Sequence, residues 1–204
     1  TDSSGNIGKS LGVDINALEK TITDLISIAI SDDVTKEEVQ SCIISIGAVD
    51  VIPSNSLFAG IKCRMMEAYG RESLLKCVTE VIRDEYDYLI IDCPPTLDLV
   101  STNALVASDS ALIPVEAHFL SFDNLNEMFE TITMVQKRLN RNLKVRGIFL
   151  TMYQQRTKPP RFRRGTYSGS LSLLDRGIHP PPAAADTGYL FWVLPADGPF
   201  PAPD

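Results

Sequence analysis

The chain has 204 residues, 44% of them hydrophobic and 22% charged, with a formal net charge of −7. That composition belongs to a globular protein with one domain's worth of core, and its acidic balance argues against nucleic-acid binding by bulk charge, which needs a concentrated basic face. No apolar run reaches the ~18 residues needed to cross a bilayer, and residues 1–15 lack a basic stretch leading into an apolar one, so no leader is read there and the cytoplasm is the expected location.

The first stretch, GNIGKS at residues 5–10, carries the closing letters of a phosphate-binding loop in Gly8, Lys9 and Ser10. Ser3 stands where G-x-x-x-x-G-K-[ST] needs its leading glycine. No hydrophobic run precedes the stretch, and Gly12 and Asp14 break the chain soon after Ser10, so it is not read as a P-loop. Residues 15–30 then place Ile15, Leu18, Ile22, Leu25, Ile26 and Ala29 on one face and predict an amphipathic helix, with Ile28 off the stripe. Thr35 and Glu38 have capping-box spacing and predict a second helix through VTKEEVQSCII. VDVIPS, from Val49, reads as a short strand closed by Pro53. Residues 56–68 and 71–83 read as two helices parted at Gly70.

In YDYLIIDCPP, from Tyr86, the run Leu89, Ile90 and Ile91 predicts a strand buried on both faces of a parallel sheet. Residues 98–108 read as a helix, 110–115 as another buried strand, 121–139 as a long helix, and VRGIFLTMY from Val145 as a third strand. This alternation predicts an α/β fold with a doubly wound, mostly parallel sheet over residues 1–157. Residues 158–204 break the pattern: nine of the chain's 13 prolines fall there, and an irregular tail is expected. Its basic run, Lys158, Arg161, Arg163 and Arg164, is either a solvated charged stretch or a phosphate or nucleic-acid contact. Its apolar piece YLFWVL, residues 189–194, either docks on the body or leaves a sticky edge.

Candidate chemistry centres on Asp92. An aspartate closing a buried parallel strand can hold Mg²⁺ through water, or can simply cap the next helix. Cys93 beside it has no histidine near in sequence and reads as packing rather than as a nucleophile. His118, in VEAHF, is a loop histidine without an evident partner. Cys42, Cys63, Cys77 and Cys93 are dispersed, and with His118 and His179 as the only histidines they show no converging metal-ligand pattern.

The segment YDYLIIDCPPTLDLVSTNALVASDSALIPVEAHFLSFDNL, residues 86–125, closely resembles the ParA/Soj-type partition ATPases of the deviant-Walker P-loop class, relatives of MinD. GVDINALEKTI, VIPSN, GRE and FLTMYQQRT continue the resemblance over residues 1–157. It implies the P-loop NTPase fold with ATP and Mg²⁺ as cofactors. TDSSGNIGKSLG resembles the segment after the family's second strand, so that Asp2 matches the carboxylate that arranges the attacking water, and Lys9 and Ser10 are not the phosphate clamp. Asp92 matches the Walker B aspartate, a Mg²⁺ ligand through water. Cys93, Pro94 and Pro95 match the start of switch II beside the nucleotide. Thr151 and Met152 match positions near the adenine.

The resemblance further implies a homodimer around two nucleotides, non-specific DNA binding, and a ParB-type partner that stimulates hydrolysis, together serving chromosome or plasmid partition on the nucleoid. The family's Walker A segment is expected upstream of Asp2, outside this chain. That segment's strand is central in the family's sheet, so two neighbouring strands are expected to present unpaired edges and the chain to be marginally stable. The proline-rich tail matches neither the family's basic C-terminal part nor a MinD-like amphipathic membrane helix, and Cys93 alone does not point to an iron–sulfur relative. Two further readings stay open: a non-catalytic module whose helices at 98–108 and 121–139 pair with an intact subunit, and a product without function.

Overall fold

A computed structural model describes residues 1–15, 17–94, 96–116, 121–151 and 189–193. A short helix α1 (Asn6–Ser10) opens the chain. Helix α2 (Ile22–Ser31) begins where its cap dictates: the Thr21 hydroxyl accepts from the Thr23 N–H at 3.3 Å, and the Asp24 carboxylate accepts from the Thr21 N–H at 2.8 Å. These reciprocal bonds satisfy orphan donors of the first turn. The helix expected over residues 15–30 is therefore shortened at its front, and Ile15 is buried from a turn rather than from a helical face.

Thr35 and Glu38 form the expected capping box and start α3 (Lys36–Ser41), with the Thr35 N–H 2.9 Å from Glu38 Oε2. This helix does not run through to Ile44. Residues Ile44–Ile46 form a strand β1 that pairs antiparallel with β2 (Val49–Val51) around Gly47, whose φ of 62° suits the tight turn. Helices α4 (Phe58–Glu67) and α5 (Leu74–Glu80) come next, parted at Gly70 as expected.

The main sheet contains β3 (Leu89–Cys93), β4 (Ser110–Glu116), β5 (Lys144–Thr151) and β6 (Tyr189–Val193), in the order β3-β6-β4-β5. Helix α6 (Leu99–Ala107) joins β3 to β4, and α7 (Ser121–Arg138) joins β4 to β5. Strands β4 and β5 are parallel, and β6 is antiparallel to both β3 and β4, so β3, β4 and β5 share one direction. The α/β class with parallel strands in the sheet is thus as the sequence predicts, with β6 running against them.

Three expectations are corrected. Strand β3 is not buried on both faces: among the described pairings only β6 bonds to it, and Ile90 is 52% exposed. The central edges are covered in part, because β6 lies between β3 and β4 and pairs with Leu89–Cys93 of β3 and with Ser110 and Ala111 of β4. The tail is not irregular at Tyr189–Val193, where five residues free of proline and rich in aromatic and β-branched types form that strand.

One core joins these layers. Leu25, Val39, Phe58, Met65, Val78, Leu105, Ile113, Met128 and Ile132 are almost fully buried within it. Asn103 of α6, itself buried, ties two helices together: its amide donates to Arg71 O (2.7 Å) and Leu99 O (2.9 Å), and its carbonyl accepts from the Leu75 N–H (3.1 Å) at the start of α5. Replacing Asn103 by Ala strands a buried helix N–H and a carbonyl. We expect a loss of about 1–3 kcal/mol, read as a lower urea midpoint at unchanged slope.

Candidate functional site

Cys93, Glu116 and Thr151 end the three parallel strands along one edge of the sheet, the edge where ligands gather in open α/β sheets. Asp92 is the penultimate residue of β3. The first residues of the chain come up to it: the Thr1 nitrogen donates to Asp92 O at 3.1 Å and the Thr1 hydroxyl to the same oxygen at 2.7 Å. The Thr1 hydroxyl also lies 3.4 Å from Cys93 Sγ. Two segments far apart in sequence are thereby joined, and Asp2 is delivered beside Asp92.

The Asp2 segment is a tight turn. The Asp2 carboxylate accepts from the Ser4 N–H at 3.0 Å and from the Ser4 hydroxyl, while the Gly5 N–H donates to Asp2 O at 3.2 Å. Gly5 adopts a φ of 63°, and a Cβ there would lie 2.6 Å from Ser54 O and 2.7 Å from Ile15 Cδ1. Only glycine combines that backbone with that approach. Lys9 is exposed and its amine donates to Ser4 O at 2.6 Å, so it braces the turn.

Electrostatics separate the two strand-end groups. Burial pushes the Asp92 carboxyl above its ordinary value, and the Asp2 charge adds to it. Burial also pushes the Cys93 thiol up to about 12, which keeps it neutral and removes it as a nucleophile. Beyond the strand, Asp98 caps α6: its Oδ1 accepts from the Val100 N–H at 2.8 Å and the Ser101 N–H at 3.4 Å, and its Oδ2 accepts from Thr96 at 3.1 Å and from Lys62 at 3.2 Å. Burial would raise the Asp98 carboxyl, but the Lys62 ammonium and the two N–H groups outweigh it and hold it below the usual range.

A cavity of about 320 Å³ runs from this carboxylate pair along the edge of β3 that no described strand pairs with, past Ile90, Val51, Ile52, Leu75 and Val78. Thr1, Asp2 and Asp92 form its polar end.

Of the residues singled out from sequence, the structure brings Asp2, Asp92 and Pro94 to one corner. Thr151 ends β5 opposite Glu116 of β4, on the same edge of the sheet. Pro95, Met152 and His118 lie outside the described residues. The metal and cap alternatives for Asp92 resolve in part, because Asp98, not Asp92, caps α6. Three features escaped the sequence reading: helix α1, the Thr1 bonds to β3, and the Lys62–Asp98 clamp on the loop after Asp92. Asp98 ahead of an apolar helical run was a legible capping signal; Lys62 was not, since nothing local marks its partner.

Residues 1–145 match a family model described as an AAA domain. The chain is similar to the sporulation initiation inhibitor protein Soj of Bacillus subtilis (strain 168), at 36% identity over 157 residues, covering 76% of this chain and 60% of that protein. It is also similar to the chromosome partitioning protein ParA of Myxococcus xanthus, at 34% over 155 residues, covering 76% and 53%. The chain therefore spans little more than half the length of these relatives. Among solved structures it resembles cobyrinic acid a,c-diamide synthase from Mycobacterium smegmatis with bound ATP analog and magnesium, with a TM-score of 0.70, 28% identity, and coverage of 78% and 62%. A plasmid partition protein from Borrelia burgdorferi aligns with a TM-score of 0.60 over 78% of this chain and 66% of that one, and its 24% identity shows the fold alone.

The geometry generates two expected outcomes. Gly5→Ala forces a strained backbone against Ser54 and should lower stability by about 1–3 kcal/mol, visible as a drop in Tm. Asp92, whose folded pKa is raised, costs stability as pH rises from its unfolded value, about 3.9, through the folded one. Asp92→Asn should then raise Tm at pH 7, and the gain should vanish below about pH 4, in melts recorded from pH 3 to 8.

Proposed function

Because the chain belongs to the AAA-domain family, in its ParA/Soj-type branch, we propose that it forms the carboxylate side of an ATP-hydrolysing site that drives chromosome or plasmid partition. The observation that carries this reading is the delivery of Asp2 to Asp92 at the carboxyl end of a parallel sheet, through the Thr1 bonds to Asp92 O.

The donor set suits a hydrated Mg²⁺ ion. Asp92 is half-buried, no described residue donates to its carboxylate, and the nearby Asp2 charge makes its ionised form costly without a cation. When bound, Mg²⁺ would neutralise phosphate charge. Asp92 would hold it through water. Asp2, oriented by Ser4, would accept a hydrogen bond from the attacking water and fix its line of approach. Pro94 restricts the chain leaving β3 and keeps the strand end rigid, while the Lys62–Asp98 pair anchors the far end of that loop. Pro95 beside the nucleotide, and Thr151 and Met152 near the adenine, complete the proposed binding residues.

A homodimer, non-specific DNA and a ParB-type activating partner belong to the same reading, with a cytoplasmic, nucleoid-associated site of action. No described helix is long and apolar enough to cross a membrane.

A second reading is favoured by one observation. Among the described residues no lysine reaches into the carboxylate corner, and Lys9 is engaged with Ser4 O. Lys9 therefore braces the Asp2 turn rather than a phosphate, which suits a module that pairs with an intact ParA-type subunit.

Isothermal titration with MgATP separates the two. The first reading expects Mg²⁺-dependent heat that weakens at least tenfold in Asp92→Ala, and an Asp2→Ala variant that binds but loses about 10²-fold or more in turnover. Absence of heat together with co-purification with an intact Soj-type subunit establishes the second reading. Absence of both overturns the two together.

A further inference from the structure

Asp92 and Asp98 stand at the two ends of the turn from β3 into α6, and the Asp98 carboxylate gathers four donors. Three of them, Thr96, Val100 and Ser101, lie within three residues of it. The fourth is the Lys62 ammonium, 3.2 Å away and brought from the middle of α4. Thr96 is fixed from both sides, since its hydroxyl donates to Asp98 and its carbonyl accepts from the Ser101 hydroxyl.

An aspartate needs no ammonium to cap a helix: the N–H groups of Val100 and Ser101 suffice. Nor does the ion pair owe its place to stability. The Lys62 and Asp98 side chains are 33% and 37% exposed, and a pair so open to water contributes little. What Lys62 adds is a fixed point outside the turn. Phe58, Ile61 and Met65 bury one face of α4 in the core, so the helix that carries the ammonium is held independently of the turn. The same helix reaches toward the other carboxylate. Its leading loop contains Ser54, whose carbonyl packs against Gly5 in the Asp2 turn. The loop also contains Asn55, which accepts from the Phe58 N–H at 3.0 Å and the Leu57 N–H at 3.1 Å and so joins Ser54 to the start of α4.

We propose that Lys62 is a positioning residue: its ammonium locks the turn that leaves Asp92 onto α4, the helix whose leading loop supports the Asp2 turn. On the ATP-hydrolysing reading, on which this consequence rests, Asp2 and Asp92 are thereby held in one frame. Groups that orient a water and a metal ion tolerate little displacement. The lock needs a cation of the right reach, so arginine can replace Lys62 and an uncharged chain of similar length cannot.

Hydrogen exchange on the full chain reads the lock without nucleotide. In Lys62→Met, which keeps the apolar stem and removes the charge, the amides of Thr96–Ser101 should exchange faster, by about fivefold or more. Lys62→Arg should restore the rate. Lys76→Met, which removes an ammonium paired with Glu80 on α5, should leave it unchanged. In the unsubstituted chain, raising salt from about 0.05 M to about 1 M screens the pair and should speed the same amides; this arm stands even if the methionine variant fails to fold. Equal exchange in Lys62→Met, failure of arginine to restore it, or no response to salt overturns the lock. MgATP turnover reads the consequence. Lys62→Met should lose about tenfold or more in kcat with KM within about twofold, and Lys62→Arg should recover it. A faster-exchanging turn with unchanged kcat overturns the positioning role. A chain without turnover sinks the ATP-hydrolysing reading instead, and the exchange comparison then decides the lock by itself.

Discussion

Main-chain hydrogen bonding to β3 is the constraint on which the rest of the molecule depends. A strand in the middle of a sheet must satisfy donors and acceptors on two edges. Among the described residues, one edge of β3 is met by β6, whose sequence lies far away, and the other is met at its top by Thr1. That single contact sets the position of Asp2, and the turn built on Gly5 holds it against Ser54 and Ile15. Below it no described strand pairs with that edge, and a cavity runs beside it past the half-exposed Ile90.

Much of this was legible in the residues, and for identifiable reasons. The Thr35–Glu38 box, the Gly70 break and the runs at 89–91 and 110–115 are local signals, and local chemistry decided them. Residues 15–20 carried a helical stripe, yet the Thr21–Asp24 box started α2 later: a hydrogen-bonded cap outweighed apolar periodicity. Strand β1 hid inside an apparent helix because its partner, β2, lay beyond Gly47 and the pairing is tertiary. Strand β6 was visible only as an apolar piece in a proline-rich tail, since what makes it a strand is the pair of edges waiting for it.

The site shows the same division. Asp92 announced itself by ending an apolar run, and Asp2 through its resemblance to a family segment; neither position revealed that Thr1 would bridge them. The result is a pair of carboxylates at close quarters, one of them partly buried and pushed toward its neutral form. A protein selected for stability alone would not keep that arrangement, so its presence is itself an argument for chemistry. The neighbouring thiol, by contrast, is buried into inertness.

The place of β6 in the sheet has a consequence for biosynthesis. A ribosome releases β3, α6, β4, α7 and β5 in that order, and each βα unit can form as it emerges, but the strand between β3 and β4 is the last of the described elements to be made. Until Val193 is made, the edges of β3 and β4 with which β6 pairs wait for that strand. The nascent chain is then most exposed to mispairing with its neighbours on the same message, and most in need of a holding chaperone.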